Sequence, residues 1–245
     1  MTDSAPKATP QKQENAFLNL GMNLVLPVLL LNKGDDWFNA SPTAVLIIAL
    51  VFPLGYGIYD FVTRKKANLF SIIGFVSVLL TGGIGLLHLD NKWLAVKEAG
   101  IPAIFAIITG ASALTKKPLV RLFILNREIM DVDRIDAAIP EGDRGEFDKV
   151  LARGTWYLAA SFVVSSILNY ILTTIIVVSE PGTDAYNSEL GKLQAMSFAV
   201  IALPSILMLG YAMWYVFTNI KKITGLGFED LMYQPAQPKK KNTPS

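Results

Sequence analysis

LFSIIGFVSVLLTGGIGLL (Leu69–Leu87), HLDNK (His88–Lys92) and WLAVKEAGIPAIFAIITGASAL (Trp93–Leu114) follow one another without a break, and their reading decides the fold. Two apolar runs flank one short polar turn. At 1.5 Å rise per residue they extend about 28 and 33 Å as helices, which matches a hydrocarbon core of about 30 Å. Working outward, Ala16–Leu31, Thr43–Val62, Thr155–Val178 and Leu193–Phe217 are apolar in the same way. The predicted architecture is an all-α membrane protein, a bundle of six transmembrane helices. The first run reaches only about 24 Å, so it must borrow interfacial residues, thin the bilayer or stop short of crossing.

The loops between these runs alternate in charge. With the N-terminus in the cytoplasm, 18 of the 22 basic residues fall on the inner face, and only Lys33, Lys92, Lys97 and Lys192 fall on the outer one. Basic residues in short loops stay on the cytoplasmic side, so both termini are predicted to be cytoplasmic. A 52% apolar content and a mean hydropathy of +0.41 agree with a membrane chain. With no cysteine and one histidine, His88, thiol chemistry and a multi-histidine metal site are excluded within one chain, and no metal or cofactor is expected. The small net charge of +2 gives no reason to expect a nucleic-acid partner. No cleavable signal peptide is expected, because residues 1–15 are polar and no small-residue cleavage pattern follows the first apolar run.

Three regions follow: a disordered cytoplasmic tail over 1–15, a membrane domain over 16–227, and a basic cytoplasmic tail over 228–245 carrying Lys239–Lys241. That lysine run is expected to meet anionic lipid at about 1 kcal/mol per charge near the surface. The cytoplasmic loop 115–154 is amphipathic. Leu119, Val120, Leu122, Phe123 and Leu125 interleave with Arg121 and Arg127, as in a helix lying on the inner leaflet. Ile129, Val132 and Ile135 predict a second short helix, ended by Pro140 and Gly142. No internal repeat is visible.

Polar groups inside the spans define the candidate site. An ionisable residue at a span centre costs roughly 2.5–3.5 kcal/mol, so it pairs, snorkels or works. Asp60 and Arg64, four apart, are expected to form an interfacial ion pair. Lys97 and Glu98 lie about 6 and 7.5 Å beyond Trp93 along their helix, and neighbouring positions diverge by about 100°. Each is therefore expected to seek a partner elsewhere, with His88, Asp90 and Asn169 as candidates for a shared polar pocket. Gly82, Gly83 and Gly85 are read as helix-packing positions that break the outer end of span three and bring backbone close to span four or five. Pro27, Pro53, Pro102 and Pro204 are expected to kink their spans. Asn19 and Asn23 are read as cross-helix glue. No nucleotide, metalloprotease or nucleophile-elbow motif occurs, and no catalytic residue is assigned.

The stretch TGGIGLLHLDNKWLAVK (Thr81–Lys97) resembles the glycine-pair and aromatic-to-lysine signature of the bacterial intracellular septation protein A family, also called the inner membrane-spanning protein YciB family. Gly82, Gly83, Leu86, Asp90, Trp93 and Lys97 fall on that signature. Lys116-Lys117-Pro118-Leu119-Val120, Trp156 and Asn169-Tyr170 are similar to later family positions. Gly85, Ala95 and Glu98 depart from it, as does the longer loop near Asp131–Lys149, so the resemblance is to a diverged branch. It implies a multi-pass protein of the bacterial inner membrane with a role in envelope maintenance or septation. It implies contacts with lipids, membrane-protein partners or a second copy, and no catalytic residue. The alternative is a small transporter or channel for an anionic or zwitterionic solute or lipid, using the polar pocket.

Overall fold

The computed structural model describes residues 21–64, 69–125 and 130–232. The expectations for the 1–15 tail, for Asn19, for Ile129 and for Lys239–Lys241 fall outside the described residues, as do the side chains of Asp60 and Arg64. The described residues form helices joined by short turns, with one isolated β-bridge between Met130 and Met232. Four helical stretches are long and apolar enough to cross a membrane: Pro42–Tyr59, Asn91–Ala113, Glu141–Ile176 and Asp184–Thr224. Ile72–Leu86 is a shorter apolar helix. Side chains such as Ile107, 71% exposed, and Leu207, 66% exposed, cover these helices outside. In a soluble protein such a surface would be an aggregation hazard; against lipid it is the stable arrangement.

The chain divides into two units, Met1–Glu98 with Asn169–Val200, and Ala99–Leu168 with Ile201–Ser245. In the first unit a π-helical turn, Gly21–Val25, leads into α1 (Leu26–Phe38), followed by α2 (Pro42–Arg64), α3 (Leu69–Leu86) and the start of α4 (Asn91–Ala113). The helix α8 (Asp184–Ser197) closes the unit by packing on α1 and α2. Its mean hydropathy is too low for the sequence to announce it. It inserts Tyr186 and Asn187, and the Asn187 side-chain amide donates to the Pro42 carbonyl at 2.7 Å.

The prolines act in two ways. Pro27 and Pro204 each follow a π-helical turn, Gly21–Val25 and Phe198–Ala202, which shifts the hydrogen-bond register ahead of a residue that has no N–H. Pro53 and Pro102 stand inside α2 and α4.

In the second unit α7 (Arg144–Ile176) runs about 50 Å, longer than a bilayer core. Its first turns meet α5 (Val120–Ile124), α6 (Val132–Ala138), the end of α9 (Leu203–Thr224) and α10 (Phe228–Leu231) around a conventional hydrophobic core. Met130, Ile135, Leu151, Val216 and Ile220 are fully enclosed there. Gly154 lets α7 approach closely: a Cβ at that position would run into Val216 and touch Val120 at 3.6 Å. Thr155 accepts from the Val120 amide at 3.3 Å and donates to the Leu151 carbonyl at 2.9 Å, so this buried hydroxyl is satisfied.

Two expectations change here. The Leu119–Leu125 segment does not lay a continuous apolar face on lipid, because Val120 and Leu125 turn into the protein core and leave Leu122 outside. Phe228–Leu231, read as the start of the tail, forms a helical turn with Leu231 buried and Asp230 bonded to Arg134 at 2.7 Å.

Candidate functional site

The first unit encloses a partly open cavity of about 320 Å³. Lys97 and Glu98 on the second turn of α4 meet Thr81 and Ser77 of α3, Ala49 and Pro53 of α2, Asn23 beside α1, Asn169 of α7 and Gln194 of α8. Lys97 is 8% exposed in its side chain and Glu98 29%. The Lys97 ammonium donates to Glu98 Oε1 at 2.7 Å and to Thr81 Oγ1 at 2.8 Å. Thr81 in turn donates to the Ser77 carbonyl one turn back, at 3.1 Å.

This corrects the expectation that the two charged residues cannot pair with each other. Adjacent Cα–Cβ vectors diverge, but the lysine stem and the glutamate are long enough to curl together over the helix surface. In a low-dielectric setting that outcome is favoured over two separate unpaired charges.

Of the sequence candidates, Asn169 joins Lys97 and Glu98 in the lining, whereas His88 and Asp90 do not. His88 adopts φ +51° in the turn between α3 and α4 and donates its Nδ1–H to the Pro181 carbonyl at 2.6 Å. Its ring lies against Gly182, whose φ of +87° and missing side chain allow the approach. Asp90 starts α4 by accepting from the Lys92 amide at 2.8 Å. That bond and the neighbouring Lys92 ammonium hold its carboxyl below the ordinary aspartate value. The α3–α4 turn is thus a structural clasp, reinforced by Asn91 donating to the carbonyls of Val177 and Ser179. Glu189 accepts from the amides of Val178 and Ser179, each at 2.9 Å.

The glycines also differ from their reading. They do not break α3, which continues to Leu86. A Cβ on Gly82 would meet Leu50 at 2.7 Å, and one on Gly85 would meet Leu46 at 2.7 Å and Tyr186 at 3.3 Å, so the close neighbours are α2 and α8. Gly83 has open space around its missing Cβ.

Sequence reading missed Gln194, which anchors the cavity. Pro27 has no N–H to offer the carbonyl four residues back, Asn23, and the Gln194 side-chain amide donates to that carbonyl at 3.1 Å. Asn23 therefore does join two helices, through its backbone oxygen. The signal was present in the spacing of Asn23 and Pro27, but nothing local pointed to position 194.

One buried cation and one anion neutralise each other amid neutral polar groups, and the chain's single imidazole is engaged at the α3–α4 turn. Among the described residues no group of three or more His, Cys, Asp or Glu side chains is placed to hold a metal.

Helices of this length and apolarity define an integral membrane protein. The chain is 29% identical over 137 residues to the inner membrane-spanning protein YciB of Shewanella halifaxensis (strain HAW-EB4). It is 28% identical to that of Shewanella pealeana (strain ATCC 700345 / ANG-SQ1) and 27% to that of Shewanella woodyi (strain ATCC 51908 / MS32) over the same length. The match takes in 56% of this chain and spans 64% of the length of these curated relatives. No family model matches the chain, and no solved structure matches it. The chain is thus similar to the inner membrane-spanning YciB proteins, at the distance of a diverged branch.

Proposed function

We propose that the protein is a non-enzymatic, six-span component of the inner membrane, with both termini in the cytoplasm, that supports envelope maintenance or septation through membrane partners. The observation that carries the reading is the similarity to YciB proteins over 137 residues, together with the septation-family signature at Thr81–Lys97. Charge supports the six crossings. Lys65-Lys66 follow α2 and Lys116-Lys117 follow α4, so both helices end inside, and α3 must return the chain to the outer face between them. The π turn with α1 then starts from the cytoplasm. The enclosed core of α5, α6 and α10 gives the inner face a folded platform for partners.

The experiment is a deletion strain complemented with the full chain. Expected are elongated cells or detergent-sensitive envelopes in the deletion strain, and recovery on complementation. Normal cell length and normal detergent resistance without the gene would refute the role.

A further inference from the structure

Three of the prolines fall four residues after a residue that lines the same cavity: Pro27 after Asn23, Pro53 after Ala49 and Pro102 after Glu98. Each proline deprives one of these carbonyls of its α-helical donor. Gln194 compensates Asn23. The carbonyls of Ala49 and Glu98 have no i+4 N–H donor, although α2 and α4 continue through Pro53 and Pro102.

The charged pair has capacity left over. An ammonium carries three N–H donors, and Lys97 spends two, on Glu98 and Thr81. Only Oε1 of Glu98 takes part in these bonds, which leaves Oε2 without a partner among the described residues. A spare donor on a cation thus stands beside a spare acceptor on an anion. A ligand of net charge would leave one buried charge unbalanced, whereas a ligand carrying both signs would not. The volume of about 320 Å³ corresponds to roughly ten waters at ~30 Å³ each, which leaves room for a small polar group.

We infer that this cavity binds a zwitterion, an oxyanion joined to an ammonium, with the oxyanion on Lys97 and the ammonium on Glu98. Two sources share that chemistry: the headgroup of an ethanolamine phospholipid and a free solute such as an amino acid.

The test is native mass spectrometry of the full-length detergent-purified protein with four probes: dioleoyl phosphatidylethanolamine, dioleoyl phosphatidylglycerol, glycerophosphoethanolamine and serine. Expected is retention of phosphatidylethanolamine, or of one of the two free zwitterions, at least tenfold over phosphatidylglycerol. Retention of the phospholipid alone assigns the site to a lipid, and retention of a free probe assigns it to a solute. Glu98→Gln and Lys97→Met should each weaken the preferred adduct tenfold or more. Ser77→Leu, which fills the cavity without touching either charge, should do the same. Size-exclusion and circular dichroism identify any variant that fails to fold, and the remaining variants then decide. Equal retention of all four probes, retention of none, or a preferred adduct unchanged in the folded variants would overturn the assignment.

Discussion

Removing Glu98 should destabilise the protein more than removing Lys97, and removing both should cost less than the sum. At 2.7 Å and an effective dielectric near 20 the gross attraction of the pair is about 6 kcal/mol, most of it offset by the desolvation of both charges. Glu98→Gln leaves an enclosed ammonium without its counter-ion. Such a loss costs about 3–5 kcal/mol in a dry interior, and about 2–3 kcal/mol is expected here because Thr81 still accepts one bond. Lys97→Met leaves a carboxylate that is 29% exposed and can be hydrated, so about 1–2 kcal/mol is expected. With both changed no charge is stranded, and the cost should be about 1–2 kcal/mol. The pair therefore couples by about 2 kcal/mol. Unfolding by SDS titration in mild-detergent micelles, followed by far-ultraviolet circular dichroism, measures all four corners of the cycle. Single costs that add to within about 0.5 kcal/mol would refute the reasoning, because independent sites behave that way.

Gly154→Ala should lower stability by about 1–2 kcal/mol, since overpacking against Val216 outweighs the helix-propensity gain of about 1 kcal/mol. Gly145→Ala, with open space around it in the same helix, should be neutral or gain up to ~1 kcal/mol in the same titration. Gln194→Leu should cost about 1–3 kcal/mol by stranding the Asn23 carbonyl. Adding Pro27→Ala, which restores an N–H four residues on, should recover part of that loss; no recovery would show that the carbonyl is not the cause. Gly182→Ala should loosen the clasp at the α3–α4 turn, because alanine is strained at φ +87° and its methyl would meet the His88 ring. Faster amide exchange at Val178 and Ser179 is the expected readout.

Hydropathy made the membrane helices legible. Thr43–Val62 became Pro42–Arg64 and Trp93–Leu114 became Asn91–Ala113, since both ends of these runs are marked by charge or by a turn. α8 was hidden because polar residues interrupt its buried face of Tyr186, Leu190 and Leu193: Asn187 and Gln194 find their partners only in the carbonyls of Pro42 and Asn23, far away in sequence. The core of the second unit escaped for a related reason. Its members at 120, 135, 151, 216 and 231 sit in segments that look merely amphipathic until they meet. Within the site, cost alone singled out Lys97 and Glu98, but their mutual bond depends on side-chain reach that a helical projection omits. His88 and Asp90 drew attention as polar residues near the lysine, whereas a positive φ and a helix start commit them to the turn.

The absence of native cysteine makes the membrane orientation directly measurable, because any introduced thiol is unique. Single substitutions Asp36→Cys, Asp184→Cys, Lys117→Cys and Glu141→Cys all fall on exposed positions. Labelling intact spheroplasts with a membrane-impermeant maleimide should modify Cys at 36 and 184 at once, and at 117 and 141 only after lysis. Labelling of 117 or 141 in intact spheroplasts, or protection of 36 and 184, would contradict the account.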